Sequence, residues 1–139
     1  GYWLNPEATA AAFDADGFLM TGDLATIDEY GFVDIVDRKK DVIKSGGETV
    51  FSVEVENALY EHPAVLECAV FGKPDDTWGE RVVAAVVLRP GMSASSDDLI
   101  AFCRAQIAGY KTPKQIDFMQ ALPRTGTGKI QKRSLRDQP

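Results

Sequence analysis

The chain has 139 residues, of which 45 % are hydrophobic and 26 % charged, and its net charge is −6. This length fits one domain, or one domain with a piece of another, and the composition is that of a globular protein. No stretch approaches the ~20 apolar residues of a membrane span, and the first residues lack the basic and apolar regions of a signal peptide. Because the chain does not begin with Met, we expect a fragment of a longer cytoplasmic protein.

Charge is distributed unevenly along the chain. Residues 1–37 contain 8 acidic and no basic residues, whereas residues 104–139 contain 8 basic and 2 acidic residues. A basic tail is compatible with nucleic acid, anionic lipid or a phosphorylated small molecule as the ligand. The aromatic residues beside it are Tyr110 and Phe118, and no stacking series is present. This disfavours single-stranded nucleic acid, and we expect no nucleic-acid partner.

The first 37 residues predict a short helix followed by strands. The helix covers 6–13 and is capped by Asn5. Strands are predicted at 18–20, 24–27 and 32–36, the last two as a hairpin. A hairpin is too small to bury a core alone. We therefore expect residues 1–37 to be the tail of a larger domain.

The remainder predicts a small α+β domain over 41–139, in which helices pack on a central β-sheet of about three strands plus a hairpin, in two layers. Strands are predicted at 41–43, 65–71, 81–88 and 115–119, with a loop at 72–80. Helices are predicted at 52–61, 97–108 and 131–136. Ser52 and Ser96 are the expected N-caps of the first two.

The segment from Asp37 to Glu48 combines charged residues, the apolar pair Val42–Ile43 and the diglycine Gly46–Gly47. Glycines pass through backbone angles closed to other residues and let a ligand approach the main chain. The segment predicts a boundary between two bodies with a binding edge beside it. The alternative is a solvated turn that ends in a flexible loop.

The cysteines and the single histidine predict no metal site. Cys68 and Cys103 lie in apolar runs, which indicates buried free thiols in a reducing compartment. His62 precedes a proline at a helix end, and no second base or metal-ligand set accompanies it. A capping or surface role is therefore expected for His62.

Three motifs can bind a nucleotide. A Gly-rich loop that ends in Lys129 can hold phosphate, although it departs from the P-loop pattern and a solvated basic loop is the alternative. Asp23 follows one strand and Arg38 ends another, so both can reach the ribose hydroxyls of one nucleotide. Trp78 in a charged loop can stack on a purine or a partner, or fold back on the sheet.

Together these motifs resemble a known family. Thr21–Gly22–Asp23–Leu24, the segment 37–48 and Pro123–Arg124–Thr125–Gly126–Thr127–Gly128–Lys129, in this order, are similar to the last motifs of the adenylate-forming superfamily. That superfamily includes acyl-CoA synthetases, peptide-synthetase adenylation domains and firefly luciferase. The resemblance covers the whole chain but only the C-terminal quarter of such an enzyme. The sequences at 44–48 and 78–81 are closer to fatty-acyl or medium-chain CoA ligases.

The resemblance implies the lid domain of an ATP-dependent acid–CoA ligase, inactive as a fragment. A carboxylate and ATP would give acyl-AMP, and CoA would convert it to acyl-CoA. ATP, CoA and Mg²⁺ are the implied cofactors, with Mg²⁺ held by the absent N-terminal domain. That domain is the implied partner, together with the small-molecule substrates. There are three alternatives. The chain could be a non-catalytic binding module with the same fold, a fragment of a peptide-synthetase adenylation domain, or a binder of anionic surfaces.

Residue roles follow from the same resemblance. Asp23 and Arg38 would bind ribose, Lys40 would be the hinge within 38–40, and Lys129 would be the catalytic lysine. Lys129 also resembles the site that protein acetyltransferases modify in this superfamily. The implied CoA-binding residues are Gly46, Gly47, Glu48, Trp78, Tyr110 and Lys114. Thr112 matches a further CoA position, at which some relatives carry Arg.

Overall fold

The structure, a computed structural model, describes residues 1–138, and these divide into two compact units. Unit 1 is Gly1–Lys40 and unit 2 begins at Asp41. Pro139, the last residue of the predicted second domain, lies outside the described residues. Unit 1 contains α1 (Pro6–Ala11), β1 (Asp23–Ile27) and β2 (Val33–Arg38). Unit 2 contains β3 (Ile43–Ser45), β4 (Glu48–Val50), α2 (Ser52–Tyr60), β5 (Val65–Asp75), β6 (Gly79–Leu88), α3 (Ser96–Arg104), β7 (Gln115–Phe118) and α4 (Lys132–Arg136).

Unit 1 contains the predicted hairpin. β1 and β2 are antiparallel, and the Asp28 carboxylate closes their turn by accepting the backbone N–H groups of Tyr30 and Phe32. The predicted strand at 18–20 is wrong, because its pairing is limited to a single bridge between Phe13 and Leu19. A strand needs a ladder of backbone hydrogen bonds, and apolar residues alone do not supply one.

Unit 1 has no hydrophobic core. Asp37 is its one buried residue among those described, whereas Trp3 is 88 % exposed and Ile35 is also exposed. With so little apolar area removed from water, the hydrophobic contribution to the stability of this unit is small.

We expect hydrogen exchange in the isolated chain to separate the two units. Amides of β1 and β2 should exchange much faster than those of β5 and β6, because few buried contacts oppose local opening in unit 1. Mass spectrometry of peptic fragments measures this directly. Equal protection in β2 and β6 would contradict the expectation.

Unit 2 is built on a five-stranded sheet. Its strand order is β4-β3-β6-β5, and β7 lies parallel to β6. β5 and β6 form a long hairpin that pairs Val65 with Leu88 at one end and Asp75 with Gly79 at the other. The prediction of a loop over 72–80 is therefore wrong, and the turn is confined to 76–78. Charged residues and Pro74 suggested a loop, but cross-strand pairing keeps the segment extended.

The diglycine makes a second hairpin that the sequence did not predict. Gly46 and Gly47 have φ of +60° and +83°, and they join β3 to the unpredicted strand β4. Positive φ at both central residues is the requirement of a type I′ turn, which matches the twist of paired strands. The predicted strand at 41–43 accordingly shifts to Ile43–Ser45.

Both faces of the sheet are covered. Helices α2 and α3 pack on one face over a core that includes Ile43, Leu59 and Leu99. Leu122 and Leu135, from the C-terminal segment that ends in α4, cover part of the other face. The α+β class is confirmed. The two predicted layers are present, and α4 lies on the face of the sheet opposite α2 and α3.

Asn5 caps α1 as predicted and accepts the N–H of Ala8, whereas the predicted caps Ser52 and Ser96 are each displaced by one residue. Ser95 rather than Ser96 caps α3, in a capping box with Asp98. Hydrogen bonds from Ser95 lower the pKa of the Asp98 carboxyl. Phe51 occupies the N-cap of α2, and Ser52 lies fully buried as the first helical residue. Its hydroxyl accepts a hydrogen bond from Lys132, 2.7 Å away, instead of capping the helix.

The cysteine prediction is confirmed, since Cys68 and Cys103 are both free and buried. Burial raises the pKa of the Cys68 thiol to about 12 and that of Cys103 to about 11. His62 plays the expected local role, because its Nδ1 accepts the N–H of Ala64 and its ring packs edge-on against Phe102. In the described part of the chain, no helix is long and apolar enough to cross a membrane.

Candidate functional site

A groove of about 300 Å³ lies at the turn end of the β5–β6 hairpin. It is lined by Ser45, Gly46, Glu48, Trp78, Gly109, Tyr110 and Lys114. Five of the six residues that were predicted to bind CoA therefore line one groove, although they come from three separate stretches of sequence. The sheet brings these stretches together, because Ser45 at the end of β3 pairs with Gly79 at the start of β6.

Trp78 forms one wall of the groove and lies against bare backbone. Gly46 donates its N–H to the Trp78 carbonyl oxygen at 2.8 Å. A Cβ atom at Gly46 would lie 2.8 Å from Cε3 of the indole, so no larger residue fits here without moving the ring. The Lys114 ammonium lies 5.7 Å from the ring centroid, within the range of a cation–π contact. Trp78 remains 46 % exposed and presents a rigid aromatic surface to the groove.

The other predicted CoA residues differ in their surroundings. Gly47 lies at the tip of the turn, outside the groove lining, and a Cβ there would meet no atom within 4 Å. Thr112 is fully buried, and its hydroxyl has no hydrogen-bond partner in the described residues. The structure thus separates Thr112 from the groove, whereas the family resemblance grouped it with Tyr110.

The segment beside the groove has an anchor that sequence reasoning missed. Lys111 lies 2.6 Å from the Glu54 carboxylate on α2, and this hydrogen bond raises the pKa of Lys111. Its Nζ also lies 5.7 Å from the Tyr110 ring. The Lys111–Glu54 ion pair therefore ties the segment that carries Tyr110 to α2. Nothing in the sequence indicated it, because the two residues are 57 positions apart.

The loop that carries Lys129 is a tight turn. Thr125 donates its N–H to the Lys129 carbonyl oxygen at 2.8 Å, and its hydroxyl accepts the N–H of Lys129 at 3.2 Å. The Gly128 carbonyl oxygen accepts a hydrogen bond of 2.7 Å from Arg124. The predicted phosphate loop therefore has a defined backbone, and the side chain of Lys129 is exposed.

Lys129 differs from the other basic residues around it. Between 124 and 136 the chain has five basic residues, and four of them form ion pairs with Glu67, Glu56, Asp137 and Asp41. Within the described residues, the Lys129 ammonium has neither an ion pair nor a hydrogen bond. The charge of the basic tail is therefore largely compensated locally, and Lys129 offers an uncompensated cation to an anionic ligand.

The Lys129 loop and the groove lie at opposite ends of the β5–β6 hairpin. Arg124 binds Glu67 near the start of β5, whereas Trp78 lies in the turn beyond Asp75. Asp75 lies eight positions along the strand from Glu67, which corresponds to roughly 26 Å. The contact that anchors the Lys129 loop and the groove are therefore at different ends of β5.

Unit 1 brings together the two predicted ribose ligands. Asp23 and Arg38 are register partners on β1 and β2, and Arg38 Nε lies 3.4 Å from Asp23 Oδ1. Arg38 and Lys40 also help to line a depression of about 410 Å³, together with Thr21, Gly22 and Lys39. The boundary between the units follows Lys40, the predicted hinge residue. Across the residues described, no group of three or more His, Cys, Asp or Glu could hold a metal ion.

The fold is that of the C-terminal domain of adenylate-forming enzymes. It matches ATP-bound MatB from Rhodopseudomonas palustris with a TM-score of 0.89 at 41 % identity, over 99 % of this chain and 27 % of that one. The chain belongs to the AMP-binding enzyme C-terminal domain family, which matches residues 54–129.

Named relatives include CoA ligases of different substrates. The chain is 49 % identical to feruloyl-CoA synthase of an Amycolatopsis species, over 98 % of this chain and 28 % of the relative. It is 50 % identical to the long-chain-fatty-acid–CoA ligase of Bacillus subtilis (strain 168), over 97 % of this chain and 24 % of the relative. The chain thus spans about a quarter of the length of the relatives it matches.

Proposed function

We propose that the chain is the mobile lid domain of an ATP-dependent acid–CoA ligase. Its two ends would serve two successive half-reactions, adenylation of a carboxylic acid and transfer of the acyl group to CoA. The observation that carries this proposal is the arrangement of unit 2. An unpaired cation, Lys129, lies at one end of the β5–β6 hairpin, and an aromatic groove beside the diglycine turn lies at the other.

In the first half-reaction Lys129 is the catalytic residue. A carboxylate oxygen of the acid attacks the α-phosphorus of ATP, and the bond to pyrophosphate breaks as pyrophosphate leaves. Negative charge on the carboxylate and the α-phosphate is bridged by the Lys129 ammonium, which no acidic neighbour neutralises in the described structure. Asp23 and Arg38 bind the ribose hydroxyls. Catalysis here is positioning and charge stabilisation.

In the second half-reaction the groove binds CoA. The thiol loses its proton and attacks the acyl carbonyl carbon, and AMP leaves with the electron pair of the broken bond. The bare backbone of Gly46 and Gly47 lets pantetheine pass, while Trp78, Tyr110, Glu48 and Lys114 contact CoA. Rotation about Lys40 exchanges the Lys129 end for this groove at one active site.

The complete enzyme would be larger than this chain. The partner of this lid is the large N-terminal domain, which holds ATP and Mg²⁺ and contains the acyl pocket. A fatty or medium-chain acid is the proposed substrate, on the similarity at 44–48 and 78–81. The proposed location is the cytoplasm.

The test of this proposal is a pair of assays on the full-length enzyme. We expect ATP–pyrophosphate exchange that depends on a fatty or medium-chain acid, and CoA-dependent release of AMP. Ferulate and acetate serve as comparison acids. Exchange without transfer to CoA, but with transfer to a carrier-protein thiol, would assign a peptide-synthetase-type domain. Nucleotide binding without any turnover would assign a non-catalytic module.

The isolated 139-residue chain should form no acyl adenylate. Lys129 supplies charge to a reaction whose ATP and acid are held by the N-terminal domain. Incubation of the purified chain with ATP, CoA and an acid should therefore release no AMP above the background without acid. Acid-dependent AMP release from this chain would overturn the proposed division of labour.

Acetylation of Lys129 should abolish adenylation. An acetyl group removes the positive charge, and the absence of an acidic partner in the described structure leaves that charge free for substrate. A protein acetyltransferase is the proposed partner at this site. Full-length enzyme with acetyl-lysine encoded at 129 should lose pyrophosphate exchange and regain it after deacetylation. Unchanged exchange would refute the role of Lys129.

A further inference from the structure

We propose that Arg124 and Lys132 are positioning residues that hold the Lys129 loop from its two sides. Each is tied to an acidic residue elsewhere in unit 2, and neither is placed on a substrate. The inference rests on the proposed role of Lys129, and it assigns to its neighbours the task of fixing where that ammonium points.

Arg124 holds the side of the loop that precedes Lys129. One guanidinium nitrogen binds the Glu67 carboxylate at 2.6 Å and the other donates to the Gly128 carbonyl oxygen at 2.7 Å. The same side chain therefore connects a strand of the sheet to the residue immediately before Lys129. The planar guanidinium makes both bonds in a fixed geometry, which a flexible lysine ammonium does not reproduce.

Lys132 holds the side that follows Lys129. Its ammonium lies 2.7 Å from Glu56 Oε1 and donates to the Ser52 hydroxyl at 2.7 Å. The side chains of Lys132 and Glu56 are only 16 % and 15 % exposed, so little water competes for these bonds. Glu56 also accepts the N–H of Val70 at 2.8 Å on β5. α2, β5 and the start of α4 are thereby joined at one point.

These contacts explain how one lysine is singled out in a basic segment. Four basic side chains have acidic partners, so they are held back from an anionic substrate. Lys129 lies between the two anchors and keeps its charge available. Because both anchors bind rigid elements, the loop is held in place before substrate arrives, and preorganised charge of this kind is what electrostatic catalysis requires.

The test compares Arg124→Met with Arg133→Met in the full-length enzyme. Arg133 is a matched control, since its ion pair is exposed and joins α4 only to Asp137, the C-cap of the same helix. Because a displacement of about 1 Å can cost ~10² in rate, we expect Arg124→Met to lower kcat of adenylation about tenfold. KM for the acid and the rate of thioester formation from supplied acyl adenylate should match the control. Glu67→Met removes one of the two Arg124 bonds, so its adenylation rate should lie between those of wild type and Arg124→Met, and the double variant should be no worse than Arg124→Met.

The conservative change Arg124→Lys separates positioning from folding. It keeps the charge opposite Glu67 but loses one of the two bonds, so its adenylation rate should lie between those of wild type and Arg124→Met. Lys132→Met leaves Glu56 buried without its partner and can unfold the domain, so the test uses the Arg124 variants. Adenylation by Arg124→Met that equals the Arg133→Met control would overturn the proposal, as would an equal loss of both half-reactions.

Hydrogen exchange in the same full-length variants distinguishes this inference from the proposed function. Amides of 125–129 should exchange about tenfold faster in Arg124→Met than in Arg133→Met, because the loop opens more often. If wild type shows no acid-dependent pyrophosphate exchange, the proposed function fails, and the loop measurement alone decides whether Arg124 positions Lys129. If the amides of 125–129 exchange hydrogen at the same rate in Arg124→Met and Arg133→Met, the inference is overturned, whatever the enzyme activity of the variants.

Discussion

Replacing Lys129 with Ala in the full-length enzyme is expected to lower the adenylation rate on the order of 10²–10³-fold. That is the usual cost of removing one charge-stabilising donor from a transition state. Under the proposed function, the reason is that the Lys129 ammonium has no acidic partner among the described residues, so its charge would be free for the reacting carboxylate and phosphate. Acid-dependent pyrophosphate exchange measures this step.

Thioester formation should be nearly unchanged in the same variant. When acyl adenylate is supplied with CoA, the proposed function assigns the reaction to the groove near Trp78, at the other end of the β5–β6 hairpin from the Lys129 loop. Arg133→Ala is the matched control, since its side chain is 88 % exposed and its ion pair is with Asp137, the C-cap of α4. A similar loss in both half-reactions for Lys129→Ala would mean that this residue supports the fold rather than the chemistry.

Replacing Gly47 with Leu is expected to have the opposite effect. A Cβ at Gly47 meets no atom within 4 Å, so the new side chain extends into open space at the tip of the β3–β4 turn. Under the proposed function it would obstruct the path of pantetheine. Thioester formation should fall on the order of 10²-fold, since a substrate displaced by about 1 Å can lose that much. Adenylation should be unchanged.

Gly91→Leu is the control for backbone strain in that experiment. Gly91 also has positive φ, +77°, and open space around its Cβ position, but it follows the Leu88 end of β6, whereas Gly47 lies between the groove residues Gly46 and Glu48. Each substitution forces a side chain into the left-handed region, at a cost of about 1–3 kcal/mol. If Gly91→Leu slows thioester formation as much as Gly47→Leu does, the effect comes from strain rather than from a blocked channel.

Much of the fold followed from local patterns. The segments 65–71 and 81–88 are rich in Val and Ala and were correctly predicted as strands, and the structure buries most of both and pairs them with each other. The strand β4 was missed because a diglycine is equally compatible with a flexible loop and a tight hairpin. Only the pairing of Ile43 with Val50 decides between them, and that pairing is a property of the sheet.

The candidate site was predictable in its residues but not in its geometry. The resemblance named Gly46, Trp78 and Lys114, and the structure places all three in one groove. It also named Thr112, which the structure buries. The contacts of Arg124 with Glu67 and of Lys132 with Ser52 could not be predicted, because they join residues 57 and 80 positions apart. Sequence spacing carries no information on such contacts.

The most direct test of the two-ended account is a single-turnover experiment on full-length Lys129→Ala and Gly47→Leu. Rapid-quench sampling measures acyl adenylate and acyl-CoA in the same reaction. The account predicts a crossed pattern, in which Lys129→Ala forms adenylate slowly and converts supplied adenylate normally. Gly47→Leu forms adenylate normally and accumulates it. Equal losses of both products in both variants would contradict the account.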